Sequence, residues 1–252
     1  MIDASSLALT AAAGLLGGAM NALAGGGSFA TLPALIALGL PANIANATSN
    51  VALLPGAAAS SWAYRDERGP IAGIDWRLLV AITFASGLIG SLLLVLTPSD
   101  AFDVIIPWLL LFAFIVLAVG RRAGAWLRAR ITIGRHTLLV CQAVLGIYGG
   151  YFGGGVGLMA TATYGLLAAI APRDVFAMRT FMLTTANLAA ALVFIGFGLV
   201  AWSACLPMLI GSIAGGWLGA LVGRTLSSAV VRWWTLIVTG VTTLIFFLRV
   251  YG

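Results

Sequence analysis

Two glycine triplets stand inside apolar stretches of this chain: Gly25, Gly26 and Gly27 in "LAGGGSFATLPALIALGLP", and Gly153, Gly154 and Gly155 in "YFGGGVGLMATATYGLLAAIAP". Neither triplet carries a nucleophile or an acid, so the chemistry open to it is that of the backbone. Glycine admits positive φ and the close approach of another chain segment. A helix that stops at a triplet and restarts beyond it turns free N–H groups and the positive end of its dipole into the gap, and that combination binds anions. The arm after the first triplet, residues 28–40, is thirteen residues long. That is ~20 Å of helix, too short for a hydrocarbon layer of ~30 Å. Each triplet is therefore read as a break between two arms. Lipid cannot satisfy backbone groups at such a break, so it must face protein or a watery cavity. Ser28 follows the first break and is expected to cap the new helix. Val156 holds the matching place and cannot, so the site is expected to be asymmetric.

Polar side chains near the breaks extend the reading. Asn21 precedes the first triplet by four residues; Thr48, Ser49 and Asn50 lie in the next apolar segment, and Thr184, Thr185 and Asn187 hold the matching place in the second half. Hydroxyl and amide groups can hydrogen-bond the oxygens of a small anion without a fixed charge that would trap it. The competing reading is helix-to-helix glue, worth ~0.6 kcal/mol per bond. Arg179 opens the segment carrying Thr184 and Asn187, and two roles stay open for it: a bidentate contact to the substrate, or orientation by snorkelling to the cytoplasmic face.

The elements that must position these residues follow from composition. Of 252 residues, 62% are hydrophobic and 8% charged, with a mean hydropathy of +1.10. Soluble domains carry roughly 25% charged residues. Apolar runs such as 78–96 and 104–120 hold no charge. The chain is read as an all-α polytopic membrane protein of about ten apolar segments: 5–24, 28–40, 43–62, 78–97 and 105–120, then 136–152, 156–171, 180–197, 204–223 and 233–250. All thirteen basic residues are Arg, and they collect in the links at 65–77, 121–135, 173–179 and 224–232. Short cytoplasmic loops collect Arg and Lys, which puts these links inside, Arg249 outside, and both termini on the extracytoplasmic side. The net charge of +6 is then explained by orientation and by contact with anionic lipid heads, with no nucleic acid required.

The halves also repeat. "GLLGG" at 14–18 matches "GIYGG" at 146–150, the triplets match each other, "TSN" at 48–50 matches "TTAN" at 184–187, "GIDW" at 73–76 matches "GLVAW" at 198–202, and "GLIG" at 87–90 matches "GWLG" at 216–219. The first repeat is read as 1–120, a basic cytoplasmic loop as 121–135, and the second repeat as 136–252. Five segments per half is an odd number, so the second half must be inverted relative to the first, the pattern of many secondary transporters whose substrate sits at the midplane between repeats. The evenly spaced Gly211, Gly215, Gly219 and Gly223 read as a smooth packing stripe.

The triplet followed by "LP", the "ANATSN" run, "GIDW" after a basic loop, and the second triplet with "TTAN" and "GLVAW" resemble the sulfite exporter TauE/SafE family over essentially the whole chain. The resemblance implies a carrier of sulfur-containing anions: sulfite, thiosulfate, sulfoacetate or another organosulfonate, in the cell inner membrane, with importers and exporters both in the family; an inside-negative potential favours anion exit, so export is the expected direction. An importer or channel for another small anionic solute is the alternative. An enzyme is not expected, since no Ser/His/Asp set, HExxH motif or carboxylate pair occurs. Cys141 and Cys205 lack metal-site spacing, and neither a metal nor a cofactor is expected. No Asp or Glu lies deep in a segment, so proton coupling would run through the substrate itself or through His136, which reads as interfacial. The oligomeric state is open, a homodimer included.

Overall fold

The computed structural model describes residues 4–63, 65, 69–71, 73–128, 134–167, 172–223 and 225–252. Among these residues the protein is all α, with ten helices in chain order: α1 (Ala4–Leu23), α2 (Ser28–Ala37), α3 (Ala42–Ala63), α4 (Trp76–Leu96), α5 (Ser99–Arg128), α6 (Arg135–Tyr151), α7 (Val156–Leu167), α8 (Pro172–Gly196), α9 (Trp202–Gly223) and α10 (Ser228–Tyr251). Arg68, Arg130 and Arg224, residues 129–133 of the basic loop and 168–171 of the seventh segment lie outside the described residues. Among the described residues, six helices are long and apolar enough to cross a membrane, within Ala4–Leu23, Trp76–Leu96, Ser99–Gly120, Ala177–Gly196, Trp202–Gly223 and Ala229–Tyr251.

Several helices outrun their apolar segments. The helix expected over 105–120 begins at Ser99 and continues to Arg128, through residues read as the start of a basic loop. Ala, Leu and Arg are strong helix formers, so the charges there mark the edge of the apolar layer, not the end of the helix. The helix expected from 180 starts at Pro172, whose fixed φ and missing N–H suit a first turn. Pro55 sits inside α3, which runs on past it to Ala63. Local signals start others: Asp75 of "GIDW" caps α4 by accepting from the Arg77 amide at 2.9 Å, and Ser227 caps α10 by accepting from the Val230 amide at 3.3 Å.

Small residues decide which helices touch. The stripe Gly211, Gly215 and Gly219 on α9 lies against the backbone of Ala11, Leu15 and Ala19 on α1, so these two helices run parallel. On the other side of the bundle, Gly146 and Gly150 of α6 lie against Thr83 and Gly87 of α4, again in parallel. α3 packs on α9 through Ser212 Oγ, which donates to the Ala52 carbonyl at 2.5 Å. α4 packs on α8 where Gly87 meets Ala186 and Ala189. α5 and α10 run antiparallel: Asp103 pairs with Arg249 at 3.3 Å, Trp108 stacks edge-on against Phe247, and the Arg232 guanidinium donates to the Ala118 carbonyl at 3.2 Å. Where the chain is outermost its side chains stay apolar, as at Trp62, Trp217, Ile210 and Trp233. A bundle bordered by hydrocarbon, not water, has this surface.

Candidate functional site

Both triplets interrupt the helix, and the interruption has one hydrogen-bond pattern in each half. At the first, the amides of Ala24 and Gly25 both donate to the Met20 carbonyl, at 2.8 and 3.1 Å. At the second, the amides of Phe152 and Gly153 both donate to the Tyr148 carbonyl, at 2.9 and 3.4 Å. Gly25 and Gly153 end the two helices with φ of 81° and 74°, and at the second break Gly155 turns the chain again with φ of 79°, where the matching Gly27 is helical at -60°. This is the left-handed glycine ending of a helix, in which the last carbonyls are satisfied by amides just beyond it. A side chain on either glycine would meet a backbone penalty.

The breaks are buried and touch each other. Residues 24–28 and 152–160 are all buried. A Cβ on Gly25 would come within 2.6 Å of the Gly157 Cα, so the turn after α1 lies directly on the first turn of α7. Leu158 of α7 lies close to Gly26, and the Phe29 ring of α2 faces both Gly26 and Gly155. The starts of α2 and α7 therefore meet in one place. The Met159 amide donates to the Gly155 carbonyl at 3.0 Å, opening the ladder of α7. The amides of Val156, Gly157 and Leu158 precede that first bond and fall outside the ladder.

At the first break the polar groups are largely occupied. The expected Ser28 cap does not form: Gly27 is the residue at the N-cap, and no side-chain cap bond is made. The Gly27 amide instead donates to Asn21 Oδ1 at 2.6 Å. The reason is steric economy: α1 ends beside the start of α2, so a carboxamide one turn back on α1 reaches the orphan amide. Ser49 and Thr31 share a hydrogen bond of 2.5 Å between their hydroxyls, and Thr31 also donates to the Gly27 carbonyl at 3.3 Å. Arg179 is 3% exposed, so it does not snorkel. Its guanidinium donates to the Ala22 carbonyl at 3.3 Å, where the negative end of the α1 dipole attracts a cation.

The second break is furnished differently. Asn50 is 2% exposed, and its amide nitrogen sits 2.7 Å from where a Gly153 Cβ would be. Both its Oδ1 and its Nδ2 are buried without a hydrogen-bond partner among the described residues. One turn before it, Asn46 donates its amide to the Tyr151 carbonyl at 3.1 Å, while its Oδ1 is buried and unpaired. Asn187 is 3% exposed with its Oδ1 unpaired, and its neighbour Ala186 packs on Gly149 of α6.

The remaining candidates point elsewhere. Thr48 Oγ1 accepts from the Ala201 amide at 3.0 Å, just ahead of α9. Thr184 and Thr185 donate to Thr180 and Phe181 carbonyls of their own helix, at 2.9 and 2.8 Å. Gly154 packs against the Phe152 ring. Sequence reasoning passed over Asn46, although it lies four residues from Asn50 and so on the same helix face. It also passed over a buried relay in which Gln142 donates to Thr83 at 2.5 Å and accepts from the Tyr164 hydroxyl.

Comparison with known proteins gives the lineage. "Probable membrane transporter protein YfcA" of Escherichia coli (strain K12) is 28% identical over 228 residues, covering 90% of this chain and 84% of that protein. "Probable membrane transporter protein" of Haemophilus influenzae (strain ATCC 51907 / DSM 11121 / KW20 / Rd) is 30% identical over 228 residues, covering 90% and 88%. "Probable membrane transporter protein ORF9" of Sinorhizobium sp is 27% identical over 228 residues, covering 90% and 86%. No solved structure matches the chain. The family model described as "Sulfite exporter TauE/SafE" matches residues 10–246. With paired glycine breaks, a bundle bordered by apolar side chains and a match across nearly its whole length, the chain belongs to the sulfite exporter TauE/SafE family.

Proposed function

We propose that this protein is a secondary transporter that moves a small sulfur-containing anion, such as sulfite, thiosulfate, sulfoacetate or another organosulfonate, outward across the cytoplasmic membrane. The observation that carries the proposal is the meeting of the two buried breaks. There the first turn of α7 and the turn after α1 lie backbone to backbone at Gly25 and Gly157, and at Gly153 of the second break lies the Asn50 carboxamide, without a partner among the described residues. Helix starts aimed at a shared interior point favour negative charge. The kind of anion rests on the family, and membrane transport is also what the relatives' names describe.

The architecture that serves this function is a pair of inverted five-helix repeats. Contact pairs recur when helix n of one half is exchanged for helix n of the other. α1 on α9 corresponds to α6 on α4, and α3 on α9 to α8 on α4. The fifth helices of the two halves, α5 and α10, run antiparallel, as inversion requires. The α4 end at Thr97 also accepts from the Tyr151 hydroxyl at 3.3 Å, next to Asn46 near the start of α3. That sets α3 and α4 in opposite directions. With the Arg-rich links inside, both termini face outward, and an inside-negative potential favours anion exit by ~2.3 kcal/mol per charge per 100 mV. Asn21, Ser28, Thr48, Ser49, Arg179, Thr184, Thr185 and Asn187 then divide into those that hold the breaks in shape and those that meet the anion.

The test is transport by the purified full chain in proteoliposomes loaded with labelled sulfite, thiosulfate, sulfoacetate or taurine, with the membrane potential set by a potassium gradient. Outward movement of a sulfur anion that increases with potential is expected. Movement of none of them, with chloride or phosphate moved instead, would replace the sulfur reading with that of a carrier for another small anion.

A further inference from the structure

The two breaks share a helix ending at Gly25 and Gly153, but only the second has a further left-handed glycine, Gly155 with φ of 79°, and they differ in what is left unsatisfied. At the first, Asn21 already occupies the Gly27 amide, and Ser49 and Thr31 satisfy each other. At the second, among the described residues, Asn50 keeps a free donor and a free acceptor, and Asn46 keeps a free acceptor. The identity of the free Asn46 atom is fixed by its neighbour: Tyr151 offers a carbonyl, so the nitrogen of Asn46 must face it and the oxygen must face away. Both carboxamides rise from one face of α3, four residues apart, Asn50 to the turn at Gly153 and Asn46 to the Tyr151 carbonyl just before it. Buried polar groups without partners cost about 1–3 kcal/mol each. A site that holds several of them is built for something that pairs with them.

We propose, building on the transport reading above, that the anion is held at the second break alone, between the first turn of α7 and Asn50. Its chemical class is an oxyanion that carries its own O–H or N–H hydrogen. The anionic oxygens accept from the amides of Val156, Gly157 and Leu158 and from Asn50 Nδ2. The ligand's hydrogen is donated to Asn50 Oδ1 or Asn46 Oδ1. An anion with acceptor oxygens only would leave both carboxamide oxygens unpaired in a dry interior, which is the situation in which a site rejects an analogue strongly. A hydrogensulfite ion, a hydroxysulfonate or an aminosulfonate meets the requirement, and a plain alkanesulfonate does not. The first break, its polar groups occupied, packs against this site at Gly25 and Gly157.

Two probes of equal charge and nearly equal size separate the classes: hydroxymethanesulfonate, which has a donor, and methanesulfonate, which has none. Each is titrated against the purified full chain by ligand-induced thermal stabilisation and as a competitor of sulfite movement in proteoliposomes. Hydroxymethanesulfonate should act at about tenfold lower concentration or less. In Asn50→Leu the preference should fall to about twofold or less, and Asn50→Ser, which restores one donor and one acceptor, should recover part of it. Equal potency in the unaltered protein, or a preference that survives Asn50→Leu, overturns the inference while sulfite movement keeps the transport reading intact. If no sulfur anion binds or moves, the transport reading itself falls and takes the inference with it.

Discussion

Gly25→Ala should damage this protein by two separable routes, and the structure supplies controls for each. Gly25 has φ of 81°, and its Cβ would lie 2.6 Å from Gly157 Cα and 3.1 Å from Gly157 C, all backbone atoms that cannot rotate away. The left-handed conformation costs an alanine ~1–2 kcal/mol, and overpacking a buried contact costs a further ~1–3 kcal/mol, so a loss of about 2–5 kcal/mol is expected. Gly39→Ala isolates the first route: φ is 82°, and nothing lies within 4 Å of the added carbon. Its loss should be about 1–2 kcal/mol. Gly157→Ala isolates the second. This residue lies in the first turn of α7 without positive φ, and its Cβ would lie 2.7 Å from Gly25 Cα. On an open helix the change to alanine would stabilise by ~1 kcal/mol; here it should destabilise. Because Gly25 and Gly157 crowd the same contact, the double variant should fall short of additivity by ~0.5–3 kcal/mol. Equilibrium unfolding in mixed micelles measures each step, and anion movement in proteoliposomes reports the break. Equal losses for Gly25→Ala and Gly39→Ala, or strict additivity of Gly25→Ala with Gly157→Ala, would refute the claim that the two breaks press on each other.

Other outcomes follow from single contacts. Gly215→Val should lower stability by at least ~1–3 kcal/mol, since its Cβ would lie 2.6 Å from the Leu15 carbonyl carbon on α1; Gly240→Ala, which faces only the movable Phe114 ring at 3.2 Å, should change unfolding far less. Asp103→Asn should cost no more than ~1 kcal/mol and leave anion movement unchanged, because its pair with Arg249 is 42% and 30% exposed. A double-mutant cycle on Thr31→Ala and Ser49→Ala should return a coupling of ~0.6 kcal/mol, at most ~1.7, for the buried hydroxyl pair.

What could be read in advance was whatever depends on local chain physics. Three adjacent glycines and an arm too short to cross demand a broken helix wherever they occur, and the ten helices follow from the apolar runs. Helix ends were less legible, because hydropathy reports the depth of the apolar layer whereas the helix obeys propensity; Arg121, Arg122 and Arg128 stop the first and extend the second. The site was legible as a neighbourhood and not as a mechanism. Within a triplet, the sequence offers no reason to rank the glycines, yet Gly26 faces only the side chains of Phe29 and Leu158, whereas Gly25 and Gly27 are crowded by the backbone of Gly157 and Gly17. Ser28 satisfied every local rule for a cap and lost to Asn21, because capping rules count along one helix and this break brings in a second. Thr48, Ser49 and Asn50 are consecutive, yet they turn to α9, to α2 and to the second break. Successive residues on a helix are about 100° apart, since 3.6 make a turn. A polar run in a bundle is therefore divided among three neighbours. Which member stays unpaired is decided by partners on other helices: Thr31 takes Ser49, Ala201 takes Thr48, and nothing among the described residues takes Asn50.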